Sequence, residues 1–148
     1  MHPRKWNLDT DYEYLVKWWK QHDFGEVPKE CLPPDGVIIE DQHPICAGGL
    51  YLCTGTKFGF MEWLVIDKKI GFKTAHKALN LCIENIFKMA RDNDVKLLYT
   101  VTAEKSLQKR YVKYHGMETA EKSAMTFMKN LKGDKYKDMD WITDGYRT

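Results

Sequence analysis

The sequence predicts one α/β domain, of the α+β kind, in which a mixed, mainly antiparallel sheet is flanked by helices. Two observations carry that expectation. Three apolar segments, residues 37–40, 45–54 and 58–66, follow one another across short polar turns, the pattern of an antiparallel meander. The third then passes through Asp67-Lys68-Lys69-Ile70-Gly71 into the best helical pattern of the chain, with Phe72, Ala75, Leu79, Cys82, Ile86 and Ala90 spaced by three or four. Asp92-Asn93-Asp94 closes that helix and residues 95–101 read as another buried strand, so the helix forces a crossover to a parallel neighbour.

Taken in order, residues 3–8 read as a short first strand. Thr10-Asp11-Tyr12-Glu13 is a capping-box pattern that starts a helix reaching about His22, with Leu15, Trp18, Trp19 and His22 on one side. Three prolines and a glycine make residues 24–34 irregular or briefly helical, while Phe24, Val27, Cys31 and Leu32 supply apolar groups for a wall. Gly48-Gly49, inside the second strand of the meander, permits a bulge or the close approach of another backbone. Residues 103–114 form a third helix with Leu107, Tyr111 and Tyr114 on one side, stopped by His115-Gly116. Residues 117–121 and 124–131 then read as a closing hairpin. From Gly133 the chain is polar, with Tyr136, Trp141, Ile142 and Tyr146 scattered through it, so a domain of residues 1–132 carries a tail of residues 133–148, docked or disordered.

Composition sets the class. A chain of 148 residues holds one domain with a real core and is short for two. Its 43% hydrophobic and 30% charged residues are those of a soluble globular protein, and a net charge of +2 is too small to argue for nucleic acid. No stretch approaches the roughly 18 apolar residues of a membrane span, and Met1-His2-Pro3-Arg4-Lys5-Trp6 lacks the apolar core of a signal peptide. Cys31, Cys46, Cys53 and Cys82 have no metal or redox spacing, and buried thiols in a cytoplasmic protein are expected instead. The five histidines are dispersed, so no metal site is expected. No nucleophile triad or phosphate loop stands in a recognisable setting.

The order strand, helix, irregular segment, three antiparallel strands, helix, strand, helix, two strands resembles the GNAT superfamily of N-acetyltransferases over residues 3–131. In that family a strand reading L-x-V-x-P precedes Q/R-x-x-G-x-G/A and a helix with a leucine pair. Here Val65-Ile66-Asp67 stands for V-x-P, Ala75 for the last small residue and Ala78-Leu79 for the leucine pair. Ile70 occupies the Q/R place and Lys73 the glycine place, which marks a divergent short member. The family's Y-E-K-x-G-F is matched loosely, and one residue longer, by Tyr111-Val112-Lys113-Tyr114-His115-Gly116-Met117.

The resemblance implies an acyl-CoA N-acyltransferase fold, acetyl-CoA as cosubstrate, no metal, and transfer of the acyl group to a primary amine by direct attack in a ternary complex. Its pyrophosphate would rest on the N–H groups from Gly71 through Phe72, Lys73 and Thr74 to Ala75, at the positive end of a helix dipole, with Lys68, Lys69 and Lys73 adding charge. The alternative is that these lysines only solvate a helix start. A backbone N–H near Leu64, Val65 or Ile66 would hold the thioester carbonyl. Glu62, alone in an apolar strand, is the candidate base, since burial raises a carboxyl pKa; the competing reading pairs it with a lysine at the surface. Tyr111 and Tyr114 are candidate acids, and either is also a plausible core aromatic. His76 and His115 fit surface or helix-end positions.

The expected acceptor pocket consists of Trp18, Trp19, Phe24 and the rest of residues 24–34, with the tail as an optional addition, and it suits an apolar or cationic amine, small molecule or peptide. The expected state is monomer or homodimer. Two rivals remain at this point. One is a GNAT-shaped binding module without catalysis, which the eroded motif favours. The other is a nucleic-acid-associated protein using Lys105, Lys109, Arg110 and Lys113, a run that a solvated helix face also explains.

Overall fold

The computed structural model describes residues 1–131. In chain order it contains β1 (His2–Lys5), α1 (Leu8–Gln21), a single 3-10 turn (Lys29–Cys31), β2 (Asp35–Asp41), β3 (His43–Leu52), β4 (Phe58–Ile66), α2 (Phe72–Asp92), β5 (Leu97–Tyr99) and α3 (Lys105–His115). The five strands form one sheet in the order β1-β2-β3-β4-β5. The first three pairings are antiparallel and β4 pairs β5 in parallel, as the crossover requires.

Each face of the sheet is covered by apolar groups that the helices bring. On one face Leu15, Trp18 and Trp19 of α1 pack with Trp6, Val27, Leu32, Ile38, Ala47 and Val65. On the other, Ala78, Cys82, Ile83, Ile86 and Ala90 of α2 pack with Val37, Ile39, Cys46, Leu50 and Met61. Burial on both faces explains why β2 and β3 read as continuous apolar runs instead of alternating.

The glycines of β2 and β3 exist for close approach. The Trp6 indole lies directly on Gly36 and Gly49, where a Cβ would come within 2.2 Å and 2.7 Å of ring atoms. Across the sheet Gly48 faces Ile86 Cδ1 at 2.6 Å by the same measure. A bulge is present as well. Ala47 pairs Val65 but Gly49 pairs Glu62, so two residues of β4, Trp63 and Leu64, stand opposite Gly48 alone. Trp63, the first of the two, adopts φ 63°, a left-handed conformation uncommon for a residue with a side chain.

Three expectations are corrected. The N-cap of α1 is Asn7, not Thr10. Asn7 accepts from the Asp9 N–H through its side chain (3.0 Å) and donates its own N–H to Asp11 Oδ2 (2.7 Å). Asp11 completes the reciprocal cap that Glu13 was expected to make, one turn earlier, because it is simultaneously held by Arg4 in two 2.8 Å bonds. Burial works against its ionisation, but Arg4 and the Asn7 amide prevail and hold its carboxyl below the usual range. The strand expected at residues 95–101 is paired only at Leu97–Tyr99. The hairpin expected from residues 117–121 and 124–131 does not form among the described residues. Met125, Phe127 and Leu131 are exposed there, and no sheet partner is present to bury them. The tail of residues 133–148, with Tyr136, Trp141, Ile142 and Tyr146, lies outside the described residues.

Helix α3 ends as expected, at Gly116 with φ 65°, and the Met117 N–H returns to Tyr111 O (3.1 Å) in a six-to-one closing bond. Among the described residues no helix is long and apolar enough to cross a membrane.

Candidate active site

The site begins where two strands part. β4 and β5 are paired at Phe58↔Leu97, Gly59↔Leu98 and Phe60↔Tyr99, and there the ladder stops although β4 continues to Ile66. On the next rung the Val101 N–H donates to a side chain, Glu62 Oε1 (3.3 Å), where a ladder bond would reach a backbone carbonyl. The bulge at Trp63 lies immediately beyond. Beyond it, no strand among the described residues pairs with β4 on that side.

Backbone alternation decides what faces the gap. The Asp67 N–H donates to Ile45 O (2.8 Å), so Asp67 and Val65 point toward β3 while Leu64 and Ile66 point away from it. The amides of Leu64 and Ile66 therefore face the side that β5 has vacated. That of Val65 does not, and its side chain is buried beneath α1.

The turn from β4 into α2 is fastened by the end of α1. Gln21 Nε2 donates to Asp67 Oδ1 (3.1 Å), and Gln21 Oε1 accepts from the Lys68 N–H (2.9 Å). Asp67 Oδ1 also accepts from the Lys69 N–H (3.0 Å), and His22 Nε2 bonds Ile66 O (2.9 Å). These partners present Gly71 as the N-cap of α2 with no side-chain cap. The Ala75 N–H already donates to Gly71 O (2.9 Å), so the amides without an intrahelical acceptor are those of Phe72, Lys73 and Thr74. Lys69 and Lys73 are exposed beside them. Phe72, expected in the buried stripe, is 87% exposed at the mouth of the helix, because the first residue of α2 lies beyond the sheet it packs on. Lys73, in the glycine place, is exposed in the first turn of α2.

Glu62 and Tyr111 enter the gap from opposite faces of the sheet. Burial pushes the Glu62 carboxyl up to about 7, and the Val101 N–H offsets part of that shift. Among the described residues no cation contributes to it. Tyr111 is buried at 6% exposure, pushed up to about 12 by burial first, with a side-chain hydrogen bond to Thr100 acting the other way and the charge of Glu62 adding to the rise. It is therefore protonated across the physiological range.

Tyr114 is elsewhere. It is 49% exposed and packs edge-on against His76 with ring centroids 5.2 Å apart. One turn of helix separates the two tyrosines, and only Tyr111 turns inward. Trp18 and Trp19 are 1% and 2% exposed, core residues under the sheet, and do not line a pocket. An amphipathic helix must bury its largest apolar groups, and these are the two largest on α1. Phe24 is half-buried and stacks on His22 (5.6 Å).

On the Glu62 side of the sheet the structure adds groups that sequence reading did not name. Trp63 Nε1 donates to Tyr51 Oη (2.8 Å), which donates to Cys31 O (2.6 Å). Phe58, Phe60 and Tyr99 form one cluster, with centroids 5.0 to 6.3 Å apart. Strand alternation alone places Phe60 on the face of Glu62; only the bulge brings Trp63 there too. Asp67 carried a signal in the sequence, as an aspartate opening a turn. Gln21 and His22 carried none.

Elsewhere, Arg110 does not belong to a basic stripe. Its Nη1 donates to Asn80 Oδ1 (2.8 Å) and lies 3.1 Å from His76 Nδ1, tying α3 to α2. His115 is enclosed between Glu84 and Asn80. A depression of about 380 Å³ between β1, β2 and the end of α2 is lined by paired charges, Lys5 with Asp35 and Lys88 with Asp92. Among the described residues no three His, Cys, Asp or Glu side chains gather as a metal site.

No family model matches the chain, and no curated protein does. Solved structures do. Rv2747 from Mycobacterium tuberculosis, solved in complex with CoA, superposes at a TM-score of 0.65 with 15% identity over 85% of this chain and 76% of that one. Glucosamine-6-phosphate N-acetyltransferase from Arabidopsis thaliana gives 0.60 and 10%, over 86% of this chain and 98% of its own. The aminoglycoside N-acetyltransferase AAC(6')-Iy, in complex with CoA, gives 0.58 and 14%, over 87% and 100%. The fold is thus that of the GNAT acyl-CoA N-acyltransferases.

Proposed function

We propose that this protein is an acyl-CoA-dependent N-acyltransferase that acetylates a primary amine. The observation that carries the reading is the meeting of Glu62 and Tyr111 at the rung where β4 and β5 separate. The two CoA complexes named above support it by their shared fold.

The gap and the mouth of α2 fit an acyl-CoA. The free amides of Phe72, Lys73 and Thr74, with Lys69 and Lys73 beside them, suit a pyrophosphate. The amides of Leu64 and Ile66 suit a pantetheine arm and its thioester carbonyl. When bound, the cosubstrate supplies an acyl group activated as a thioester. Glu62, ionised above about pH 7, takes a proton from the acceptor ammonium, directly or through one water. The freed amine forms the C–N bond as the C–S bond breaks, and the Leu64 and Ile66 amides hold the carbonyl oxygen while it gathers charge. Tyr111 gives its hydroxyl proton to the departing sulfur, and the second proton of the attacking nitrogen leaves to solvent. A phenol this weakly acidic releases its proton only as the charge on sulfur develops. Because the two residues reach the gap from opposite faces, acceptor and cosubstrate can be present together, as direct transfer requires.

The test is thermal unfolding with and without acetyl-CoA, followed by release of free thiol in the presence of a primary amine. Acetyl-CoA at 100 times its dissociation constant stabilises by about 2.7 kcal/mol, a readily measured rise in Tm. An unchanged Tm at millimolar acetyl-CoA overturns the proposal.

A further inference from the structure

We infer that the acceptor is a primary amine bearing a flat apolar substituent, of the arylalkylamine class, held by an aromatic floor around Glu62. The inference rests on the N-acyltransferase reading and names the substrate class of the same site.

The floor is built by strand register. Phe60 precedes Glu62 by two residues and shares its face, Tyr99 pairs with Phe60 on β5, and Tyr51 pairs with Phe60 on β3. Phe58 packs on both Phe60 and Tyr99, at 5.0 Å and 5.1 Å. The bulge adds Trp63 from the other side. Trp63 packs in part against the core under α1, whereas Phe58, Phe60 and Tyr51 are half-buried and Tyr99 is 40% exposed without belonging to either core cluster. Such apolar surface beside a candidate catalytic carboxylate is what a ligand covers.

Polarity narrows the class. The polar atoms of the floor already serve each other, since Tyr51 Oη accepts from Trp63 Nε1 and donates to Cys31 O. A hydroxyl-rich amine would lose water there and gain few partners. The one ionisable group of the floor aimed at the gap is Glu62, which meets no cation among the described residues. A single ammonium carried on an apolar body satisfies both, with the carboxylate taking the charge and the ring faces adding cation–π attraction and apolar contact.

Direct binding tests the inference separately from catalysis. 2-Phenylethylamine and glucosamine are titrated at pH 8 by calorimetry against the wild-type protein, Phe60→Ala, Tyr99→Ala and Glu62→Gln. Binding of 2-phenylethylamine at least tenfold tighter than glucosamine, weakened at least tenfold in each variant, is expected. Both aromatic positions are partly exposed, and the circular dichroism melt of each variant confirms folding. Equal affinities for the two amines, or wild-type affinity in both alanine variants, overturns the inference. Acetyl-CoA binding with no affinity for 2-phenylethylamine removes this inference and leaves the enzyme reading. Binding of 2-phenylethylamine without any effect of acetyl-CoA overturns the enzyme reading and with it the amine's role as acceptor, leaving only an aromatic amine-binding floor.

Discussion

The two sides of β4 behave as different structures. Toward β3 it is paired from Leu52↔Gly59 to Cys46↔Ile66, interrupted only by the bulge, and backed on both faces by fully buried side chains. Toward β5 it is paired for three residues, and among the described residues no strand pairs with it further on. Leu97, Tyr99 and Val101 on the β5 side are 53%, 40% and 52% exposed, while Ile45, Cys46, Ala47 and Leu50 on β3 are at most 1% exposed. One strand thus serves as both wall and doorway. The rigid side fixes the positions of Glu62 and the Leu64 and Ile66 amides, and on the proposed function the other side is where a ligand would reach them. A site made by withholding a strand needs no special residues to be open, which is why its backbone half leaves so little trace in sequence.

The sharpest break in this comparison is chemical. Glu62→Gln should lower kcat/KM by about 10²- to 10⁴-fold and abolish the alkaline rise in activity centred near pH 7. The same substitution should stabilise the fold at alkaline pH. The folded carboxyl titrates at about 7 and the unfolded one near 4.5, so the folded chain holds the extra proton between those values and stability falls as pH rises through that window. At pH 8 the variant should exceed wild type by about 1–3 kcal/mol in urea unfolding, whereas at pH 4 the two should agree. A variant equally active and equally stable at every pH removes Glu62 from the site.

The next effect is structural and strikes the closed side. Gly36→Val must displace the Trp6 indole, which stands 2.2 Å from the new Cβ, and should cost about 3 kcal/mol. Leu97→Ala, on the open side and half-exposed, should stay within about 0.5 kcal/mol. Comparable losses in both would mean that the two sides share one core.

The smallest expected effect separates the tyrosines. Tyr111→Phe should lower kcat about tenfold or more with little change in KM for acetyl-CoA, because its hydroxyl meets Thr100 at the gap. Tyr114→Phe should be neutral, since its ring rests on His76 at the surface. The reverse result would reassign the proton donor.

How much of this was legible follows from what each residue must satisfy. The burial of Glu62 could be read because a lone carboxylate in an apolar strand violates the pattern around it. The α2 stripe could be read from Ala75 onward because its spacing serves packing alone. Trp18 and Trp19 misled because an apolar helix face looks the same whether it meets a core or a ligand. Residues 117–131 misled because apolar alternation states a preference for extended chain and not the presence of a partner strand. The aromatic floor was spelled out residue by residue, in Tyr51, Phe58, Phe60 and Tyr99, yet its assembly depends on register across three strands. Gln21 and His22 act over more than forty positions in sequence, a distance at which no local pattern speaks.

The extra residue at position 63 also makes β4 count in two phases. Before it, odd-numbered Met61 belongs to the layer under α2; after it, odd-numbered Val65 belongs to the layer under α1. Excising Trp63 would put the whole strand in one phase, and one of those two side chains would have to be expelled to water. The doorway is therefore locked open by two hydrophobic commitments on opposite sides of the sheet, and no single exchange of side chains can shut it without unseating one of them.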